Sequence, residues 1–238
     1  MATMTLDGLV GQLRGAMGDA LRAVVLYGSA AGEEHHAAHS DYNVLVLAER
    51  LSMAELGGAL SGIARAWRDA GNPPPLLLTV EEWRRSADIF PMEYADILDR
   101  HRVLHGTAPF EGMAIAPADL RLQVEHEAMA KLLQLRTSIM AAGGDAAKLR
   151  ALLAASLSTF MVIFRAVERL NATRPGGSYE GLARAVGARA GFDAMPFERV
   201  ARHRRGQDKL DDATDVIAAY LRGIEKLVQY LDVFPMGT

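Results

Sequence analysis

The sequence predicts an α/β (α+β) domain with a mixed sheet over residues 1–108, followed by an all-α helical bundle over residues 118–238. Two observations predict this division. Up to about residue 108, short apolar runs alternate with segments of helical period, which is typical of a small sheet covered by helices. After residues 109–117 the strand signal ends, and long segments of helical period follow one another, as in a bundle.

The first domain is expected to begin with an amphipathic helix, because Leu6, Val10, Leu13 and Met17 recur at helical spacing. Apolar runs rich in β-branched residues then predict strands. Its predicted elements, in order, are a helix over 5–18, strands over 22–27 and 43–48, a helix capped by Ser52 and stopped at Gly71, a strand over 76–79, a short helix over 81–85, and strands over 91–97 and 102–106.

The second domain is expected to contain about five helices. Gly143-Gly144 ends the first, and Asp145 can cap the second. The predicted helices cover 118–142, 146–170, 178–190, 195–204 and 212–233.

Composition limits the possible functions. The chain has 26 basic and 29 acidic residues and a net charge of −3, which argues against binding of long nucleic acid. It has no cysteine, which excludes disulfides, thiolate zinc sites and a cysteine nucleophile and fits the cytoplasm. The N-terminus does not resemble a signal peptide, and no run of about 18 apolar residues occurs, so neither secretion nor a membrane span is expected.

The most informative stretch joins the first two predicted strands. Gly28-Ser29 ends the first strand, and a glycine here lets the backbone approach a phosphate, with the following amides facing the anion. Asp41 and Asn43 begin the second strand. Because side chains alternate along a strand, these two are expected on one side and Tyr42 on the other.

This stretch resembles the signature of the nucleotidyltransferase superfamily, which includes DNA polymerase beta and the aminoglycoside nucleotidyltransferases. Gly28-Ser29, a loop of about a dozen residues and Ser40-Asp41 match it, while Asn43 stands where the family has a second aspartate. The resemblance implies that Gly28, Ser29 and Ser40 contact the phosphates of a nucleoside triphosphate. It also implies that Asp41 and Asn43 hold Mg²⁺ for transfer of a nucleoside monophosphate to a hydroxyl acceptor.

The family uses a third carboxylate between apolar residues on a later strand. Glu93, between Met92 and Tyr94, fits that pattern, and Asp96 is the second choice, because three residues along a strand would place it on the opposite face.

Asn43 brings no charge to the predicted metal. A charge pair at about 4 Å contributes roughly 4 kcal/mol at an effective dielectric near 20, so losing half of it weakens metal binding more than tenfold. Glu33 or Glu34 of the loop could compensate in an active enzyme. The alternative is a catalytically degenerate protein of the same fold, acting as a nucleotide-binding, regulatory or antitoxin-like partner. The acceptor stays open among a small hydroxylated compound, a protein side chain and an RNA end.

Other polar residues have weaker functional interpretations. The predicted loop contains three histidines, His35, His36 and His39. Without a carboxylate or thiolate at ligand spacing, we interpret them as part of a solvated loop and not as a metal site. The spacing of Arg121 and His126 is similar to that of HEPN-type ribonucleases, but such a pair arises easily on a charged helix. Cations for a triphosphate or an acidic partner could come from residues 202–205 with Arg199 and Lys209, or from Lys131 and Arg136. Helical bundles often bury an apolar face against a second copy, so a homodimer is a further hypothesis.

Overall fold

The structure is a computed structural model that describes residues 4–31, 42–175 and 177–235, apart from the Ser29 side chain. The chain divides into two compact units, Met1–Ile115 and Ala116–Thr238. The first contains a four-stranded mixed sheet with helices, and the second is helical. This confirms the predicted fold class.

In the first unit, helices and strands alternate along the chain. A 3₁₀ turn at Gly28–Ala31 follows the first strand. The elements are α1 (Leu6–Met17), β1 (Leu21–Tyr27), β2 (Asn43–Ala48), α2 (Met53–Gly57), α3 (Ala59–Asp69), β3 (Leu76–Thr79), α4 (Val80–Arg85), α5 (Pro91–Asp99) and β4 (His101–Gly106).

The strand order of the sheet is β3-β2-β1-β4. Strand β1 pairs antiparallel with β2 and with β4, and β2 pairs parallel with β3. Tyr27 at the end of β1 lies opposite Asn43 on one side and His101 on the other. The ends of three strands therefore meet beside the 3₁₀ turn.

Each face of the sheet is covered by its own core. On one face, Val24, Leu26, Val44 and Val46 pack with residues of α1 and α3, including the fully buried Trp67. This burial of alternate strand residues fixes the register, since a slip of one residue would expose them all.

On the other face, Val25 and Leu45 pack against α4 and α5. The rings of Trp83 in α4 and Tyr94 in α5 stack with centroids 4.0 Å apart, and the Tyr94 hydroxyl donates to the Trp83 carbonyl at 2.8 Å. These contacts hold α4 and α5 together on this face of the sheet.

The predicted strand over 91–97 is wrong, because this segment forms helix α5. Pro91 occupies the first helical position, where its fixed φ suits a helix start. Tyr94 and Ile97, three residues apart, both enter the core of one sheet face, which a strand would not allow. The helix predicted between Ser52 and Gly71 is also divided in two at Gly58, although its Ser52 cap is confirmed.

The second unit contains the five predicted helices, with each bound within one residue of its expected position. They are α6 (Pro117–Ala142), α7 (Ala146–Leu170), α8 (Tyr179–Ala190), α9 (Met195–Arg204) and α10 (Ala213–Asp232). The Asp145 carboxylate accepts from the amides of Ala147 and Lys148, which confirms its role as the cap of α7.

Helix α7 forms the centre of this unit. Leu153, Leu157, Phe160 and Phe164 are buried on it, and it contacts all four other helices. Among the described residues it is also the one helix long and apolar enough, by length and composition, to cross a membrane. Half of its most apolar window is buried within the protein, which is typical of a core helix.

Candidate functional site

The 3₁₀ turn after β1 depends on a glycine. Gly28 has φ +77°, in the left-handed region that disfavours other residues. Its N–H donates to the Arg100 carbonyl at 3.1 Å, which ties the turn to the residue before β4. Because this amide is already bonded, a phosphate at the turn would be bound by the amides that follow Gly28.

Asn43 touches the same turn. It is the first residue of β2, and its side-chain Nδ2 lies 3.4 Å from the point that a Cβ on Gly28 would occupy. Gly28 and Asn43 are therefore neighbours across the two strands. A side chain at position 28 would sit against the Asn43 amide.

Tyr42 lies on the opposite face, as the sequence predicted. Its ring packs near Trp67, with centroids 6.2 Å apart, and joins the core formed with α1 and α3. The Tyr42 N–H donates to the Asn72 Oδ1 at 3.1 Å. Asn72 thus fixes the backbone immediately before Asn43.

Two carboxylates of α5 influence the hydroxyl of Tyr27, the last residue of β1. Burial raises the pKa of the Tyr27 hydroxyl, and the negative charges of Glu93 and Asp96 raise it further. Both carboxylates are therefore close enough to influence the Tyr27 hydroxyl, and Tyr27 itself packs in the core that α5 shares with the sheet. Glu93 is exposed, whereas Asp96 is buried. Because the segment is helical, residues three apart share a side, and the expected opposition of Glu93 and Asp96 does not apply.

Several predicted site residues fall outside the described part of the chain. Ser40 and Asp41 do, as do the two loop glutamates and the three loop histidines of residues 33–39. Ser29 is described only by its backbone in the 3₁₀ turn. The roles of these residues, and those of Gly28, Asn43 and Glu93, stay predictions. Across residues 4–31, 42–175 and 177–235, no group of three or more His, Asp or Glu residues could hold a metal.

Sequence reasoning missed two residues at this end of the sheet. Tyr27 directly precedes Gly28, and alternation along β1 could have placed it on the Asn43 side. Asn72 lies in the turn before β3, and its bond to Tyr42 could not be read from spacing.

Two basic residues in and just after α9 are neutralised within the second unit. Arg199 binds Asp208 and Asp212, at 3.0 and 2.7 Å, and these bonds lower the pKa of both carboxyls. Arg205 pairs with Glu180. Arg199 and Arg205 are thus engaged in ion pairs of the fold, which weakens the prediction that this cluster provides cations for a triphosphate.

Arg121 also has a structural role. Its guanidinium donates to the Leu231 carbonyl at 3.0 Å and pairs with Glu125 at 2.9 Å. It therefore caps the end of α10. His126 is exposed, about 140° around α6 from Arg121, so the two side chains do not share a face.

An open groove of about 890 Å³ lies at the other end of the sheet. It is lined by Leu21 at the start of β1, Glu49 after the end of β2 and Gly106 at the end of β4. It is therefore separate from the turn at Gly28.

Comparisons with known proteins agree with this architecture. No protein-family model matches the chain, and no curated protein matches it in sequence. The crystal structure of spectinomycin adenyltransferase AAD(9) from Enterococcus faecialis, with ATP and spectinomycin, matches with a TM-score of 0.61 and 10% identity. The match covers 96% of this chain and 100% of that chain. The chain therefore has a nucleotidyltransferase-like fold, as the resemblance implied.

Proposed function

We propose that this protein is a nucleotidyltransferase that moves a nucleoside monophosphate from a nucleoside triphosphate to a hydroxyl acceptor. The observation that carries the proposal is the structural match to AAD(9), a protein crystallised with ATP and spectinomycin, over nearly the whole of both chains. The contact between Gly28 and Asn43 supports it, because the resemblance assigns phosphate binding to one and metal binding to the other.

The donor atoms suit Mg²⁺. The amide oxygen of Asn43 and the carboxylate of Glu93 are hard oxygen ligands, and Asp41 would complete the set. Bound Mg²⁺ would neutralise charge on the triphosphate and on the pyrophosphate leaving group. Burial and the negative charges of Glu93 and Asp96 raise the pKa of the Tyr27 hydroxyl, so two carboxylates lie near this end of the sheet, where a cation would be favoured.

The reaction requires positioning more than covalent participation by the protein. The acceptor oxygen forms a bond to the α-phosphorus, the bond from that phosphorus to the pyrophosphate oxygen breaks, and pyrophosphate leaves. The acceptor proton passes to solvent water, since the Glu93 carboxylate is a metal ligand in this proposal. The amides after Gly28 would hold the phosphates in line for this attack.

The acceptor we propose is a small hydroxylated compound. AAD(9) was crystallised with spectinomycin, a compound of that class, and the net charge of −3 disfavours long nucleic acid. We place the reaction in the cytoplasm, where nucleoside triphosphates and Mg²⁺ are available.

Asn43 favours a second function. A neutral amide at the predicted metal position weakens Mg²⁺ binding, as estimated above, and so favours a protein that binds nucleotide without transferring it. Such a protein would act as a regulatory or antitoxin-like partner.

The test is transfer of α-³²P label from each of the four ribonucleoside triphosphates to a panel of aminocyclitols and aminoglycosides, with and without Mg²⁺. Mg²⁺-dependent labelling that is lost in Asp41→Ala supports the enzyme. The matched control is Asp211→Ala, which removes an exposed carboxylate of the second unit and should keep full activity. Nucleotide binding by thermal shift without any transfer supports the regulatory alternative, and the absence of both binding and transfer refutes both.

A further inference from the structure

Helix α6 is apolar on two sides. One side buries Leu120, Val124, Leu132 and Leu135 within the second unit. A surface helix normally has a single apolar stripe that faces its own core. The second apolar side of α6 therefore requires another explanation.

Four large apolar side chains form this second stripe, which we call the α6 stripe. They are Leu122, Met129, Leu133 and Met140, with exposed fractions of 69%, 44%, 53% and 80%. Spacings of seven, four and seven residues keep them on one side of the helix. At 1.5 Å per residue the stripe is about 27 Å long, and four large apolar side chains aligned in this way differ from the singly scattered ones of an ordinary surface.

The α6 stripe is symmetric along the helix. Leu122 and Met140 are equally far from its midpoint, and so are Met129 and Leu133. An identical helix running in the opposite direction would therefore place Leu122 opposite Met140 and Met129 opposite Leu133. This is the self-complementarity that a two-fold interface requires.

The charges beside the α6 stripe are complementary under the same symmetry. Glu125 and Arg136 lie on one flank of the stripe and are nearly equidistant from its midpoint. An antiparallel second copy would bring Arg136 of one chain to the level of Glu125 of the other, twice per pair. Each keeps an ion pair within its own chain, Glu125 with Arg121 and Arg136 with Glu225, and each stays partly exposed. Like charges do not face each other in this register.

We propose that the α6 stripe is the interface of a homodimer in which two α6 helices pack antiparallel. The proposal rests on the symmetry of the stripe and its flanking charges, and it is independent of the catalytic proposal. It identifies the occupant of this face as a second copy of the same chain.

The first test is the mass of the full-length protein by analytical ultracentrifugation. The measured mass of the wild type at micromolar concentration should be twice the mass of one chain. Met129→Glu and Leu133→Gln, near the centre of the α6 stripe, should each raise the dimer dissociation constant at least about tenfold. The matched control is Met195→Glu, which changes a methionine of similar exposure, 52%, on α9 and should leave the dimer intact.

The second test uses the absence of cysteine from the chain. Leu122→Cys and Met140→Cys should cross-link to each other when the two variants are mixed under oxidising conditions, and neither should cross-link alone. A parallel pair would instead give a disulfide in each variant by itself. The two positions lie about 27 Å apart within one chain, so an intramolecular bond cannot form.

Three results would overturn the proposal. The first is a wild-type protein that is monomeric. The second is that Met129→Glu and Leu133→Gln both stay dimeric while their circular dichroism spectra match that of the wild type. The third is that Leu122→Cys or Met140→Cys cross-links by itself. We expect Leu133→Gln to fold normally, because the native leucine is half-exposed and glutamine has a high helix propensity. A loss of dimer in this variant would therefore not reflect unfolding.

Discussion

Replacing Gly28 with alanine tests the backbone on which the candidate site depends. Gly28 has φ +77°, and an alanine in this left-handed conformation costs about 1–2 kcal/mol. The added Cβ would lie 3.4 Å from the Asn43 Nδ2, an ordinary contact distance, so sterics add little to this cost. We therefore expect the melting temperature of the first unit to fall by roughly 5–10 °C.

The same methyl group would occupy the space between the turn and the Asn43 amide. If the triphosphate is bound there, Gly28→Ala weakens its binding at least about tenfold, which corresponds to about 1.4 kcal/mol. Affinity is measured by isothermal titration calorimetry with ATP and Mg²⁺, below the melting temperature of every variant.

Gly112→Ala is the matched control. Gly112 has nearly the same backbone conformation, φ +75°, but a Cβ there meets nothing within 4 Å. The control should lose similar stability and keep nucleotide affinity. The reasoning is refuted if Gly28→Ala binds ATP like the wild type, or if Gly112→Ala loses the same affinity.

Three further predictions concern charge and hydrogen bonding. Asn43→Asp should lower the melting temperature without metal, because it adds a negative charge near the two carboxylates that already influence Tyr27. Mg²⁺ with ATP should restore the melting temperature. A variant whose melting temperature does not respond to Mg²⁺ would contradict the metal assignment. Arg199→Leu should lower the melting temperature by several degrees near pH 7, whereas exposed Arg204→Leu should not. Since the pKa values of its two aspartate partners are lowered in the folded state, this difference should shrink as the pH falls below about 4, and a difference independent of pH would contradict the ion-pair explanation. Tyr94→Phe should cost about 1 kcal/mol by denaturant unfolding, because its buried hydroxyl donates to a carbonyl of α4, while Tyr179→Phe should be neutral.

The helical unit could be predicted closely because its helix ends carry local signals. The Asp145 side chain accepts hydrogen bonds from the first amides of α7, and Gly143 ends α6 in the left-handed conformation. Such signals act within a few residues, so they do not depend on the rest of the fold.

The error at 91–97 arose where local signals were ambiguous. Met92 and Tyr94 alternate with Glu93, as in a half-buried strand, but the segment is short and apolar on most sides. Pro91 was the signal that could have identified a helix start. The choice also depended on the stacking of Tyr94 on Trp83, a tertiary contact that no local pattern specifies.

The candidate site was predictable only where it follows from strand geometry. Alternation placed Tyr42 and Asn43 on opposite faces, as the structure shows. The bond from Gly28 to the Arg100 carbonyl depends on β4, whose position beside β1 could not be derived from spacing. The approach of Glu93 and Asp96 to Tyr27 likewise depends on how α5 packs.

The central position of β1 has a consequence for the order of folding. Its contact with β2 joins Tyr27 to Asn43, nearby in sequence, whereas its contact with β4 joins Tyr27 to His101 and closes a loop of about 75 residues. Closing the longer loop costs about 1.4 kcal/mol more in chain entropy, so we expect the β1–β2 hairpin to form first and β4 to dock late. Because the Gly28 amide is bonded to the residue that precedes β4, the turn would reach its final conformation only in this late step. A nascent chain that has not yet emerged beyond α5 would thus contain Gly28 and Asn43 without the finished turn between them and β4.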